Sequence, residues 1–84
     1  MITEKQLVEL GFQKEFVPMV ESGMDYDFYY YHYGVGMLDF LSSEDDVARE
    51  SNGHWTVQIL EGGIKFTDFE DLKKVINTLE VYVV

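Results

Sequence analysis

Two histidines, His32 and His54, are the only side chains here whose ordinary pKa lies near neutrality. Each stands alone. No second histidine sits at metal-ligand spacing, and cysteine is absent. A lone histidine on a strand is more often hydrogen-bonded to a neighbour than engaged in catalysis, and Asp39 comes near His32 in some strand registers. Gly34-Val35-Gly36 invites comparison with a phosphate-binding loop, but no third glycine, helix start or Lys-Ser/Thr pair follows. It reads as a hairpin turn. Glu44-Asp45-Asp46 offers hard oxygen donors for a divalent cation, yet the spacing of a calcium loop is missing. Such a run is usually solvated. Ser22, Ser42, Ser43 and Ser51 have no nucleophile context, and paired carboxylates would need a sugar cleft that so small a sheet hardly forms. The chain is therefore not expected to be an enzyme, nor to hold a metal or cofactor.

The tyrosines are different in kind. Within Asp25–Tyr33, seven of nine residues are aromatic or histidine. The stretch from Met24 to Leu41 reads as two strands joined at Gly34–Gly36. Strand side chains alternate between faces. Tyr26, Phe28, Tyr30 and His32 thus share one face, and Asp25, Asp27, Tyr29, Tyr31 and Tyr33 the other. A three-residue loop sets Tyr30 against Phe40 and His32 against Leu38, making the even face the core. A two-residue loop inverts the faces. The three-residue loop is the reading adopted, because it buries Phe28 and leaves Asp25, Asp27 and Asp39 outside. In either register one aromatic row faces away from the core. Tyrosine rings beside carboxylates suit arginine, which stacks on the former and bonds the latter. The expected partner-binding residues are Asp25, Asp27, Tyr29, Tyr31, Tyr33, Asp39, Glu44, Asp45 and Asp46.

Charge supports a basic partner. Sixteen acids against six bases give a net charge of −10 over 84 residues. Residues 24–54 carry seven acids and one base, while the segments on either side are each −2. Such a field repels nucleic acid and anionic membranes and attracts basic protein surfaces. Aromatic stacking on single-stranded nucleic acid is thereby disfavoured. The length suits one domain, spanning residues 1–84. No apolar run approaches the roughly 20 residues that span a bilayer, and the N-terminus lacks a signal-peptide layout. With no cysteine, a reducing compartment such as the cytoplasm is expected.

The remaining elements follow from local signals. Thr3 and Gln6 form a capping box for a helix over Thr3–Leu10, ended by Gly11. Gln13–Val20 reads as a weak strand confined to a sheet edge by Pro18. Ser42–Gly53 reads as an acidic loop, with Asn52-Gly53 suited to a tight turn. Trp55, Val57 and Ile59 alternate, and a two-residue turn at Gly62-Gly63 places Ile64 and Phe66 on their face. Thr67 and Glu70 suggest a second capping box. Phe69, Leu72, Val75, Ile76 and Leu79 form a helical stripe. Glu80–Val84 is prone to extend as a strand or lie against the core. The fold class expected is α+β: an antiparallel meander of about four to five strands, with a short N-terminal helix and a C-terminal helix packed on one face.

The Leu10–Phe12 helix ending, the strand beginning at Trp55 and the closing helix beginning at Thr67 resemble small phage or mobile-element proteins. In composition the acidity is similar to that of DNA-mimic and anti-defence inhibitors. The acidic middle segment beside the tyrosine row leads to the expectation of a non-enzymatic module that docks an acidic, tyrosine-rich surface onto a basic partner, and the resemblance implies a phage-type inhibitor of a host defence or nucleic-acid-binding protein. The alternatives are a homodimer through the exposed aromatic face, a toxin-immunity protein, and a small-ligand binder with aromatic pocket walls.

Overall fold

Thr3 caps the first helix reciprocally. Its hydroxyl accepts from Gln6 N at 3.2 Å, and Gln6 Oε1 accepts from Thr3 N at 2.9 Å. Gly11 ends that helix at a φ of 100°, and Phe12 N donates back to Leu7 O at 3.0 Å. The structure is a computed structural model that describes residues 1–23, 25–60 and 62–83, apart from the side chains of Ser22, Tyr82 and Val83. In chain order the elements are α1 (Glu4–Leu10), β1 (Gln13–Val17), α2 (Met19–Ser22), β2 (Phe28–Val35), β3 (Leu38–Ser42), α3 (Asp45–Glu50), β4 (Val57–Ile59), β5 (Lys65–Phe66) and α4 (Phe69–Val83). The strands pair antiparallel in the order β1-β2-β3-β4-β5. The α+β meander is thus present, with five strands.

Four expectations change in detail. Residues 45–50 are helical, where an acidic loop was expected. Asp45 and Asp46 lie in the first turn of α3, where carboxylates favour the helix dipole, and Arg49 lies in the last. Ala48 is buried against the core, so this short helix is held by packing. The β4–β5 connection is longer than two residues. Val57 pairs with Phe66, and Ile59 N donates to Ile64 O at 2.8 Å, so the connection extends beyond the glycine pair and includes Leu60. The face assignment survives for Phe66, but Ile64 is exposed. Finally, α4 is capped one residue late: Asp71 N donates to Asp68 Oδ2. The helix also runs through Glu80–Val83, so those residues add no strand. Met24 and Val84 lie outside the described residues.

The weak strand ends at Val17, just before Pro18, and lies at the sheet edge. The apolar stripe of α4 packs as expected: Leu72 and Ile76 are buried, and Phe69, Val75 and Leu79 pack beside them.

The central hairpin carries the main correction. Tyr33 pairs with Phe40 and Val35 with Leu38, so the loop is the two residues Gly36-Met37. Gly36 has a φ of 59°, and Met37 is not among the positive-φ residues. A glycine in that first position is what a type II′ hairpin turn requires. The odd face is therefore the inner one. Tyr31, Val35, Phe40, Val57, Ile59 and Phe66, the buried residues of the sheet, all share it. Leu7 of α1, Ala48 of α3, and Leu72 and Ile76 of α4 complete the same core. Trp55 joins it too, bridged to Ile2 and set edge-on to Tyr31 with ring centroids 5.5 Å apart.

Candidate functional site

The nine residues expected to bind a partner are split among three places. Tyr29, Tyr31 and Tyr33 belong to the helix side of the sheet rather than to an exposed row. Tyr31 is only 4% exposed, and its hydroxyl donates to Glu4 Oε2 at 2.6 Å. Tyr33 stacks on Phe12 and donates to Glu80 Oε1. Tyr29 packs against Trp55, and the Lys14 ammonium sits 3.9 Å from its ring centre. All three phenols are raised above their usual pKa of 10.0. For Tyr29 and Tyr31 the main cause is burial; for Tyr33 it is the bond to Glu80. These rings hold the two terminal helices to β2.

Asp45 is also structural. It is 5% exposed, accepts from Tyr29 N at 2.9 Å, and accepts from Arg49 Nη1 at 2.7 Å. Asp25, Asp27, Glu44 and Asp46 gather where β2 begins and α3 starts. Met19 N donates to Asp27 Oδ1 at 2.6 Å, and Tyr26 donates to Asp46 Oδ2 at 2.9 Å. The Glu44 carboxyl is raised above its usual 4.5, first by burial and then by the charge and hydrogen bond of Asp46, with Asp45 adding to it. Among the described residues no group of three or more His, Asp or Glu is placed to hold a metal ion, and no helix is long and apolar enough to cross a membrane.

Asp39 alone lies on the face opposite α1, α3 and α4. This outer face carries Val17 and Glu15 from β1, Phe28, Tyr30 and His32 from β2, Asp39 and Leu41 from β3, and Gln58 and Lys65 beyond. None of them is buried, and most are half-exposed. Two shallow hollows run across it. One, of about 230 Å³, is lined by Glu15, Tyr30, His32, Asp39, Leu41 and Leu60. The other, of about 270 Å³, shares Leu41 and Leu60 and continues past Gln58 to Lys65. Leu60 is brought to both by its backbone, which donates to Asp39 O at 2.9 Å. His32 Nε2 donates to Asp39 Oδ1 at 2.9 Å.

Sequence reasoning named one member of this surface, Asp39, as a site residue, and brings it near His32 only in some registers. The three-residue turn wrongly set Tyr30 and His32 on the core face, whereas Leu41 fell on the same side as Asp39. The signal that moves Tyr30 and His32 across is Gly36 as the first residue of a two-residue turn. His54 lies on no strand and is exposed. Comparison with protein-family models, with curated proteins and with solved structures finds no match to this chain.

Proposed function

We propose that this chain is a non-enzymatic protein-binding module that uses the uncovered face of its sheet to dock a basic partner. The observation that carries this reading is the one-sided covering of the sheet. Helices α1, α3 and α4 pack on the inner face, and the outer face is left with half-exposed Phe28, Tyr30, His32 and Leu41 and a grooved surface. A contiguous apolar patch of this kind is uncommon on a surface that meets only water. Tyrosine in its centre is well suited to an interface, since it contributes much contact area for little entropy.

The charge indicates the sort of partner. At −10 the chain attracts basic surfaces over distances of about a Debye length, roughly 8–10 Å at ordinary salt. An inhibitor that covers the nucleic-acid site of a basic protein would act through such a surface. The acids at Asp25, Asp27, Glu44 and Asp46 then steer the encounter from beside the docking face rather than within it.

The test compares immobilised chain with its Leu60→Arg variant. Leu60 is 58% exposed, so this change alters the face and not the core. The native chain is expected to retain a protein that salt releases and that Leu60→Arg does not retain. A partner held equally by both, or held regardless of salt, refutes the reading. A dimer in sedimentation that Leu60→Arg dissolves would replace it with self-association through the same face.

A further inference from the structure

We infer that the hollow between Glu15, Tyr30, His32, Asp39, Leu41 and Leu60 is a receptor site for an arginine side chain of the partner; this rests on the docking face proposed above and specifies its chemistry. The hollow spans neighbouring strands. Glu15 stands opposite Tyr30 in the β1–β2 pair, so the two side chains rise together. On the other side of β2, Asp39 leans onto His32. Its own cross-strand neighbour is Gly34, which has no side chain to fill the space beside it. The two carboxylates thus stand on either side of the Tyr30–His32 row, Glu15 level with Tyr30 on β1 and Asp39 reaching His32 from β3. Leu41 and Leu60 form the apolar wall.

Each part matches one feature of an arginine. The guanidinium is a flat cation that stacks on a tyrosine ring and bonds carboxylates through several fixed donors. Its aliphatic stem needs apolar surface, which the two leucines supply. A lysine ammonium has the charge but not the plane, so it gains less from the Tyr30 ring and cannot make the two-pronged bond to a carboxylate. Anions are disfavoured by both acids and by the net charge. The neighbouring hollow does not compete for the cation, because Lys65 lines it.

The experiment titrates N-acetyl-arginine methylamide into the isotope-labelled full chain and follows backbone amides by NMR, with the lysine and citrulline counterparts as controls. Expected are shifts concentrated at Glu15, Tyr30, His32, Asp39 and Leu41. Affinity for arginine should exceed that for lysine by about tenfold, the worth of one added charge-assisted hydrogen bond. Uncharged citrulline should produce none of these shifts. The double variant Glu15→Gln with Asp39→Asn should abolish the response while keeping the dispersion of a folded chain; Glu15→Gln alone should weaken it if the double variant unfolds. Shifts confined to Asp25–Asp27 and Glu44–Asp46, an equal response to lysine, or no response overturns the assignment. The two proposals fail separately. Loss of the arginine response with retained Leu60-dependent capture removes the pocket and leaves the docking face. An arginine response without Leu60-dependent capture leaves the pocket and removes the docking face.

Discussion

Tyr30 and Tyr31 are adjacent in sequence but lie on opposite faces of β2, and replacing each with alanine tests the register of the hairpin directly. Tyr31 is 4% exposed and touches Tyr29, Trp55 and Glu4. Truncating a buried aromatic to alanine costs about 3–5 kcal/mol. Losing a hydrogen bond to a charged group adds about 1.5–3 kcal/mol, of which part is recovered because Glu4 is half-exposed and can rehydrate. The sum is at least about 4 kcal/mol. A chain of 84 residues has a total stability of roughly 4–13 kcal/mol. Tyr31→Ala is therefore expected to lose about a third or more of the stability. Tyr30 is half-exposed on the outer face, and its truncation should cost about 1 kcal/mol or less. Urea unfolding followed by fluorescence reads both, because Trp55 is the single tryptophan and is buried. If Tyr30→Ala costs as much as Tyr31→Ala, the even face is inside, the turn has three residues, and the assignment of inner and outer surfaces is wrong.

Four further outcomes follow from the polar contacts of the inner face and of α3. Tyr31→Phe should cost about 1.5–3 kcal/mol in urea unfolding, since the Glu4 bond is charge-assisted. Tyr29, Tyr31 and Tyr33 have folded pKa values raised above 10.0, so their contribution is complete below that pH and is lost as pH rises toward the folded values. The urea midpoint should accordingly fall above pH 10.0, and fall less steeply in Tyr31→Phe. Glu44 is likewise raised above 4.5, so its ionised form is a burden at neutral pH. Glu44→Gln should raise Tm at pH 7, and the gain should vanish as the pH is lowered through the folded pKa to below 4.5. Asp45→Ala should cost about 1–3 kcal/mol because it orphans the Tyr29 amide. Arg49→Ala should cost less than about 1 kcal/mol, since that side chain is 68% exposed. Equal losses for the two would show that the ion pair, not the amide, is what Asp45 supports.

The helices at either end could be read from the sequence because their signals are local. A cap three residues from its partner, a closing glycine and a stripe at helical spacing all lie within one element. The register of the central hairpin could not be read the same way. Both faces of Phe28–Val35 are aromatic, so hydrophobicity does not choose between them, and Gly34-Val35-Gly36 fits two loop lengths. What decides is the meeting of Tyr31 with Glu4 and of Tyr33 with Glu80, at sequence separations of 27 and 47. Helix α3 was hidden for a related reason. Glu44-Asp45-Asp46 looks like a solvated loop until Asp45 is seen accepting from the amide at the start of β2. Of the outer surface, Asp39 and Leu41 of β3 were legible beforehand, whereas Phe28, Tyr30 and His32 were not, because a one-residue shift in the turn carries every side chain of β2 to the other face.

The two tyrosine clasps also bear on the order of folding. Each strand of the meander pairs with its neighbour in the chain, β2 and β3 through a two-residue turn and β1–β2 and β3–β4 through longer connections that carry α2 and α3. The clasps to Glu4 and Glu80 are long-range and demand that the flanking helices come back to a strand already in place. Kinetically, the meander is the part that can nucleate, and sealing of its inner face is the late event. Substitutions at Glu4 and Glu80 should then speed unfolding while leaving the folding rate nearly unchanged. Until both helices arrive, the half-made sheet is wet on both sides with aromatic rings on each face of β2, and the clasps of Tyr31 and Tyr33 help fix which face of that strand becomes the interior.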